Sequence, residues 1–316
     1  MQNSKFKLKI QKFDPKDLKK LYIPPSDSHK RQNGKVMIIA GSRLFHAASL
    51  WPLRVASRIV DMVYYSSVPE NNELVQKAKE EFRDGIIVPR KDIESYIEEA
   101  DCILIGPGMM RTEEKLDPTE DYDLKNLSEL DEIEHEGIQT YYLTKYLLKK
   151  YSEKKWVIDG GSLQMMDRDW LISYGVKNAI LTPHQGEFKT LFGKDPTVEN
   201  AKEMAKKYKI VILLKGERDI VCSPFDSFGR LRTKSAQGET CVQVSGGNAG
   251  MTKGGTGDVL AGLVASLYCK NDTFLSACAG SYINKKAGES LYERVGPYFN
   301  VSDLADEIPK VMRELL

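Results

Sequence analysis

The sequence has 316 residues, of which 41% are hydrophobic, so it can build the core of one or two folded domains. Lys and Arg number 46 and Asp and Glu number 45, which gives a net charge of +1. The sequence therefore lacks the excess of basic residues that is typical of nucleic-acid-binding proteins. The five cysteines form no Cys-x-x-Cys pair and there are four histidines, so neither a zinc site nor a disulfide framework is expected. Buried free thiols in a reducing compartment are the expectation.

In chain order, the sequence begins with a polar, lysine-rich stretch without the apolar region of a signal peptide. Short apolar runs then alternate with amphipathic segments, a pattern typical of βαβ units. Predicted strands occupy residues 36–40, 62–66, 102–106, 156–159, 179–182, 211–215 and 220–222. Predicted helices occupy residues 47–60, 73–82, 140–150, 187–192, 198–207, 258–268, 274–291 and 301–315. No run is long and apolar enough to span a membrane, and we expect a cytoplasmic α/β protein with a mostly parallel sheet.

Several predicted strands end in polar or glycine-bearing turns. These turns lie at residues 40–42, 106–108, 159–161, 182–184 and 215–216. Because functional loops of parallel sheets lie at the carboxyl ends of the strands, we expect these turns to converge on one edge. Asp159 ends a strongly apolar strand and needs a partner, either magnesium, bound directly or through water, or the N-terminus of a following helix.

The segment from Arg111 to Gly137 is acidic and poor in large apolar residues. One interpretation is a solvated excursion between elements. Another is a lid or a subunit contact near the functional edge, since the segment leaves directly from the turn at 106–108. The sequence leaves both open.

Residues 254–261, Gly-Gly-Thr-Gly-Asp-Val-Leu-Ala, are the most informative motif in the chain. A glycine-rich loop here enters an apolar helix, whose first amides and positive dipole end suit an anion such as phosphate. Asp258 would stand in the first turn, where it could accept a proton from a hydroxyl group beside that phosphate. No P-loop and no complete dinucleotide fingerprint occurs, so the motif predicts phosphoryl transfer of another kind.

Two further strand ends are candidates for ligand contact. His184 follows the strand at 179–182 and is either a loop histidine with local partners or a substrate contact. Lys215 ends the strand at 211–215, where a lysine could touch a nucleotide phosphate, although lysines at strand ends are common.

Taken in order, the motifs resemble those of the ribokinase-like superfamily, and more narrowly of the NAD(P)H-hydrate dehydratase family. The resemblance covers residues 25–316, which leaves 1–24 as an N-terminal extension and 111–137 as an acidic insertion. The residues that carry the resemblance are 29–30 with Gly34, 40–42, 105–108, 181–188, 214–216 and 247–258. It implies a three-layer α/β/α sandwich with a central, mostly parallel sheet. The combination of Thr-Pro-His-x-Gly-Glu, Gly-Asn-x-Gly-Met and Gly-Gly-Thr-Gly-Asp makes the resemblance specific.

The resemblance implies repair of hydrated NADH or NADPH, in which ADP or ATP phosphorylates the added hydroxyl and phosphate then leaves. Asp258 would be the base, and the amides of Gly255, Thr256, Gly257 and Asp258 would hold the transferred group. Substrate binding would fall to Ala48, Gly108, His184 and Asp258. Nucleotide binding would fall to Lys215, Gly216, Glu217, Arg218, Asp219 and Gly257, with Mg2+ bridging the phosphates through ligands that the sequence does not identify. A separate NAD(P)H-hydrate epimerase and self-association into homo-oligomers are further implications.

Asp219 departs from the family, which usually has threonine there, and a carboxylate at this place would repel a phosphate. Two alternatives therefore stand beside the dehydratase. One is a kinase of the same superfamily that phosphorylates a small hydroxylated heterocycle or sugar without elimination. The other is an inactive nucleotide-binding regulatory protein, against which the intact 254–258 motif argues.

Overall fold

One sheet forms the centre of the computed structural model, which describes residues 10–80, 83–113, 123–224 and 241–316. Its strands are β1 (Gln11–Lys12), β2 (Lys35–Ile39), β3 (Met62–Ser66), β4 (Ile86–Ile87), β5 (Cys102–Ile105), β6 (Lys155–Ile158), β7 (Ala179–Leu181), β8 (Val211–Leu214), β9 (Asp219–Cys222) and β10 (Cys241–Val244). Across the sheet the order is β1-β10-β9-β8-β7-β6-β5-β2-β3-β4. Only β9 runs antiparallel to its neighbours, β8 and β10, within the described part of the chain. The predicted parallel sheet is confirmed.

Helices cover both faces of the sheet. They are α1 (Ala47–Ala56), α2 (Pro69–Ala78), α3 (Ile93–Glu99), α4 (Glu136–Lys150), α5 (Gly160–Met165), α6 (Trp170–Ser173), α7 (Gln185–Phe192), α8 (Val198–Tyr208), α9 (Thr256–Tyr268), α10 (Thr273–Val295) and α11 (Val301–Leu315). Alternate strand residues face opposite layers: Ile103 packs in the cluster that includes α4 and α8, and Leu104 in the one that includes α9 and α10. The three-layer α/β/α sandwich is thus confirmed.

Helix α9 is buried on all sides, which explains why its sequence is apolar throughout. Every residue from Val259 to Tyr268 is buried. On one side Leu260 and Val264 join the sheet cluster, and on the other Val259 and Leu263 join a third cluster with α11. This packing fixes the start of the helix, and with it the glycine-rich loop, relative to the sheet.

Two cysteines contradict the expectation of free thiols. Cys222 of β9 and Cys241 of β10 face each other in register and form a disulfide, with their Cα atoms 4.1 Å apart. This pair does not follow from the sequence pattern because β10 is not predicted, and its antiparallel pairing with β9 is what brings the two residues together. Cys102, Cys269 and Cys278 are buried free thiols, as expected.

The N-terminal extension and the acidic insertion both contribute residues to the sheet or the core. In the N-terminal segment, β1 pairs with β10, and Leu18 lies buried against α11. In the acidic segment, Leu124, Leu127 and Leu130 are buried in the same cluster as α4. The part of this segment that the structure describes is therefore anchored to the core, and its remaining residues, 114–122, lie outside the described ranges. No described helix is long and apolar enough to cross a membrane.

Candidate active site

The polar turns predicted to converge do meet at the carboxyl edge of the sheet. The amide of Gly41, after β2, donates to the carbonyl of Pro107, after β5, at 2.7 Å. The amide of Gly161, after β6, donates to the carbonyl of Gly106 at 3.0 Å. The amide of Lys215, after β8, donates to the carbonyl of Pro183, after β7, at 2.8 Å. The predicted convergence is confirmed, and these bonds give the edge a fixed backbone frame.

The glycine-rich loop enters α9 at this edge along a course that only glycine permits. Gly255 is the N-cap of α9, with a φ of 102°, in the region that disfavours residues with a Cβ. A Cβ there would lie 2.2 Å from Cζ3 of the Trp51 ring in α1. The hydroxyl of Thr256 donates to the carbonyl of Met251 at 2.8 Å and so ties the loop to itself. The side chain of Thr256 therefore serves the loop conformation.

The four amides predicted to hold the transferred group differ in availability. The N–H of Thr256 donates to the carbonyl of Lys253 at 3.3 Å, and that of Asp258 to the carbonyl of Gly255 at 3.0 Å. Neither the Gly255 amide nor the Gly257 amide makes a backbone hydrogen bond in the described ranges. Gly257 is also the second residue of the helix, where N–H groups lack an intrahelical acceptor. The Gly257 amide is thus a donor available to an anion at the helix start.

Asp258 lies beside a buried cluster of charges, which we call the Lys215 cluster: Lys215, Asp159 and Glu187. The Nζ of Lys215 is 2.7 Å from Oδ1 of Asp159 and 3.9 Å from Oε2 of Glu187. Thr182 donates its hydroxyl to the same Asp159 oxygen at 2.7 Å. β6, β7, β8 and α7 each contribute to this group, so residues far apart in sequence meet at one point.

The charges around Asp258 raise its pKa. Burial is the largest cause, and the neighbouring carboxylates of Asp159 and Glu187 act in the same direction, while Lys215 opposes them. The result is a pKa of about 8. Asp159 and Glu187 raise the pKa of Lys215 above its ordinary value although burial alone would lower it. A carboxyl with such a pKa can both accept and return a proton near neutral pH.

His184 has both local partners and an open face. It caps α7: its Nδ1 accepts the amide of Glu187 at 3.1 Å, and its own amide donates to the Glu187 carboxylate at 2.8 Å. The side chain is nevertheless 56% exposed. The two interpretations of this residue are therefore compatible, since the cap orients a ring whose other edge faces solvent at the functional edge.

Ala48 and Gly108, both predicted to contact the substrate, lie against each other. A Cβ on Gly108 would be 2.4 Å from the Cβ of Ala48 and 3.1 Å from the carbonyl oxygen of Phe45. Gly108 also has a φ of 63°. The absence of a side chain at this position keeps the start of α1 close to the turn after β5.

The turn between β8 and β9 holds the predicted nucleotide-binding residues, but their side chains point to different places. The Lys215 amine points into the cluster beside Asp258. The Nζ of Lys215 would lie 3.3 Å from a Cβ built on Gly257. Asp219 points into the protein, where its Oδ1 accepts the Gly216 amide at 2.9 Å and its Oδ2 accepts the Ser281 hydroxyl at 2.7 Å. This placement differs from a carboxylate that faces an incoming phosphate.

The partners of Asp159 and Asp219 were not evident in the sequence. Asp159 pairs with Lys215, and its side chain makes no capping bond to the helix that follows. Asp219 pairs with Lys285, in the middle of α10, at 3.3 Å. Lys285 belongs to no recognisable motif, so only the packing of α10 on the sheet reveals it. Among the described residues, no group of three or more His, Cys, Asp or Glu side chains is arranged to hold a metal ion.

Comparisons with known sequences identify relatives along most of the chain. The family model for NAD(P)H-hydrate dehydratase matches residues 36–310. The ADP-dependent (S)-NAD(P)H-hydrate dehydratase of Nitrosopumilus maritimus is 32% identical over 94% of this chain and 95% of its own length. The bifunctional NAD(P)H-hydrate repair enzyme Nnr of Methanocaldococcus jannaschii is 33% identical over 94% of this chain and 52% of its own length. This chain thus spans about half the length of that bifunctional relative.

Solved structures share the fold. A ribokinase-like superfamily protein from Enterococcus faecalis superposes with a TM-score of 0.72 at 21% identity, over 96% of both chains. An ADP/ATP-dependent NAD(P)H-hydrate dehydratase from Bacillus subtilis, co-crystallised with ATP and Mg2+, superposes with a TM-score of 0.72 at 19% identity. That superposition covers 98% of this chain and 100% of the other. The ribokinase-like fold predicted from the motifs is confirmed.

Proposed function

The chain belongs to the NAD(P)H-hydrate dehydratase family, and we propose that it carries out the nucleotide-dependent dehydration of hydrated NADH or NADPH. The observation that carries the proposal is Asp258, a partly buried carboxyl with a pKa of about 8 at the start of α9. A base with this pKa beside an available helix-start amide suits deprotonation of a hydroxyl during phosphoryl transfer.

In the proposed first step, the hydroxyl oxygen on the hydrated ring attacks the terminal phosphorus of ADP or ATP. The O–H proton passes to Asp258, and the bond between phosphorus and the leaving nucleotide oxygen breaks. The Gly257 amide donates to the transferred phosphoryl group, whose negative charge also favours the positive end of the α9 dipole. Lys215, 2.7 Å from Asp159, is the nearest cation of the site and offsets the carboxylates around this charge.

In the second step the carbon–oxygen bond breaks and phosphate leaves. The departing phosphate takes up a proton from the neighbouring ring carbon, and the electrons of that C–H bond restore the double bond of the dihydronicotinamide. Ala48, Gly108 and His184 would hold the hydrated dinucleotide against the start of α1 and the cap of α7. Residues 215–219, together with Gly257, would hold the nucleotide. The adjacency of Ala48 and Gly108, and of Lys215 and Gly257, supports this division into two pockets.

The donor set does not fit a resident magnesium ion held by protein ligands alone. No described group of three carboxylates or imidazoles is arranged for one. The best-placed carboxylate oxygen, Oδ1 of Asp159, already accepts from Lys215 and Thr182. We therefore assign Mg2+ to the nucleotide phosphates, where it commonly keeps several water ligands.

The same proposal covers the extent of the domain, a partner activity and self-association. Residues 25–316 form the dehydratase domain, an epimerase activity from a separate protein extends its use to both substrate epimers, and copies of the chain self-associate. Two relatives are bifunctional NAD(P)H-hydrate repair enzymes, which supports a second repair activity beside the dehydratase. The chain acts without nucleic acid or a membrane.

The test is an absorbance assay on hydrated NADH with Mg2+ and either ADP, ATP or no nucleotide. Return of the dihydronicotinamide absorbance with a nucleotide, and no return without one, would support the dehydratase and identify its donor. A stable phosphorylated product without recovery of absorbance would instead indicate a superfamily kinase that lacks the elimination step. Nucleotide binding with no reaction on any hydroxylated substrate would indicate a regulatory protein.

A further inference from the structure

A buried ion pair joins α10 to the turn between β8 and β9. The Nζ of Lys285 is 3.3 Å from Oδ1 of Asp219, and the two side chains are only 8% and 6% exposed. The same Nζ donates to the carbonyls of Gly216 at 3.3 Å and Glu217 at 3.2 Å. One ammonium therefore has three oxygen acceptors, all within the predicted nucleotide-binding segment.

Asp219 is surrounded by partners that suit an ionised carboxylate. Its Oδ1 accepts the Gly216 amide at 2.9 Å, and its Oδ2 accepts the Ser281 hydroxyl at 2.7 Å. Lys285 is the cation that the structure pairs with it. A buried charge without a counter-charge is costly, so removal of Lys285 alone would leave an uncompensated negative charge under the turn.

Lys285 also lies close to Gly246 and to Gly247, the first residue of Gly-Asn-x-Gly-Met. A Cβ on Gly246 would be 3.4 Å from Cβ of Lys285, and one on Gly247 would be 3.8 Å from its Nζ. The Gly247 amide donates to Glu289, one helical turn further along α10, at 3.0 Å. One face of α10 thus holds both the 216–219 turn and the Gly246–Gly247 segment.

We propose that Lys285 is a positioning residue for the donor nucleotide, because it neutralises Asp219 beneath the turn that binds the phosphates. The inference rests on the proposed function insofar as residues 215–219 meet the nucleotide. The ion pair explains how a carboxylate can stand at position 219, where the family usually has threonine, since a carboxylate paired in this way adds no net charge to the pocket. Lys285 acts through Asp219 and the turn, without contact to the reacting atoms.

The test is calorimetric binding of AMP, ADP and ATP with Mg2+ to the wild type, Lys285→Met, Asp219→Asn and the double variant. Binding without the second substrate separates this inference from the dehydratase reaction. We expect Lys285→Met to weaken ADP binding about tenfold or more, because the uncompensated negative charge of Asp219 beneath the turn would repel the phosphates. The loss should grow from AMP to ATP, as the ligand charge grows. The double variant should bind ADP within about threefold of the wild type.

The control is Lys206→Met on the exposed side of α8, which should leave all three dissociation constants unchanged. If Lys285→Met does not fold, Asp219→Asn provides the test: it leaves Lys285 as an excess positive charge, so ADP should bind more tightly than to the wild type. Equal weakening for AMP, ADP and ATP would overturn the inference and indicate a purely structural role. So would wild-type affinity in Lys285→Met, or tenfold weaker binding in Asp219→Asn. If the wild type binds none of the nucleotides, the proposed function itself fails.

Discussion

Replacement of Asp258 by Asn tests the base and its environment together. The substitution keeps the size of the side chain but cannot accept the proton of the attacking hydroxyl. We expect the turnover number to fall by about two to four orders of magnitude, the usual contribution of a general base. Asp195→Asn is a matched control, because the Asp195 carboxylate pairs with Lys189 at the surface, where both side chains are at least 70% exposed.

The raised pKa of Asp258 gives this prediction a pH dependence. With a pKa of about 8, about one molecule in ten has the carboxylate form at pH 7. The wild-type kcat/KM should therefore rise about tenfold from pH 6 to pH 7 and level off above pH 8. The residual activity of Asp258→Asn should lack this rise. The assay is recovery of dihydronicotinamide absorbance from hydrated NADH with saturating nucleotide, at a series of pH values.

Stability should change in the opposite direction to activity. A carboxyl whose pKa is raised from 3.8 in the unfolded chain to about 8 in the fold stabilises the protein below pH 4. This contribution is lost as the pH rises towards 8. Asn does not titrate, so the variant's melting temperature should exceed that of the wild type by a margin that grows over this range. A wild-type rate in Asp258→Asn, or a margin that does not change with pH, would refute the reasoning.

Three further predictions concern the loop, the cap and the disulfide. Gly255→Ala should lower the free energy of unfolding by about 1 to 3 kcal/mol, because its Cβ would overlap the indole ring and its φ is 102°; Gly254→Ala, whose Cβ meets nothing within 4 Å, is the control for thermal unfolding. His184→Asn should preserve the helix cap and the melting temperature yet raise the KM for the hydrated dinucleotide. A selective loss of ADP binding would instead mean that His184 lines the nucleotide pocket and that the two pockets are assigned the wrong way round. After denaturation without reductant, alkylation should label three cysteines and spare Cys222 and Cys241. Reduction should lower the free energy of unfolding by about 3 kcal/mol, and five labelled thiols would contradict the disulfide.

The sequence predicts most of the regular elements and the centre of the site. The predicted helix at 258–268 begins two residues after the first residue of α9 and ends at the same residue. Its apolar character on every side follows from its burial between two layers. The shortest strands, β1 and β4, escaped prediction because two residues carry no periodic signal. Helix α5 escaped because it begins with two glycines, which usually indicate a turn.

Contacts between distant segments could not be predicted from local pattern. Asp159 was identified as a buried carboxylate in need of a partner, but that partner, Lys215, comes from a strand two positions away in the sheet. Lys285 was not identified at all, since a lysine within a helix resembles any solvated lysine until α10 is placed against the turn. The assignments of Ala48, Gly108, His184 and residues 215–219 to particular ligands remain predictions.

Helix α1 contacts both halves of the site and is held at three places. Ala48 touches the turn at Gly108, and Trp51 lies over the glycine at the start of α9. Near its other end, Arg54 pairs with Asp306 of α11 at 2.5 Å. A helix fixed in this way during folding has little conformational freedom left to lose when a ligand arrives, and such preorganisation favours affinity. The same rigidity means that a substitution that tilts α1 would disturb the dinucleotide pocket and the phosphoryl-transfer loop together.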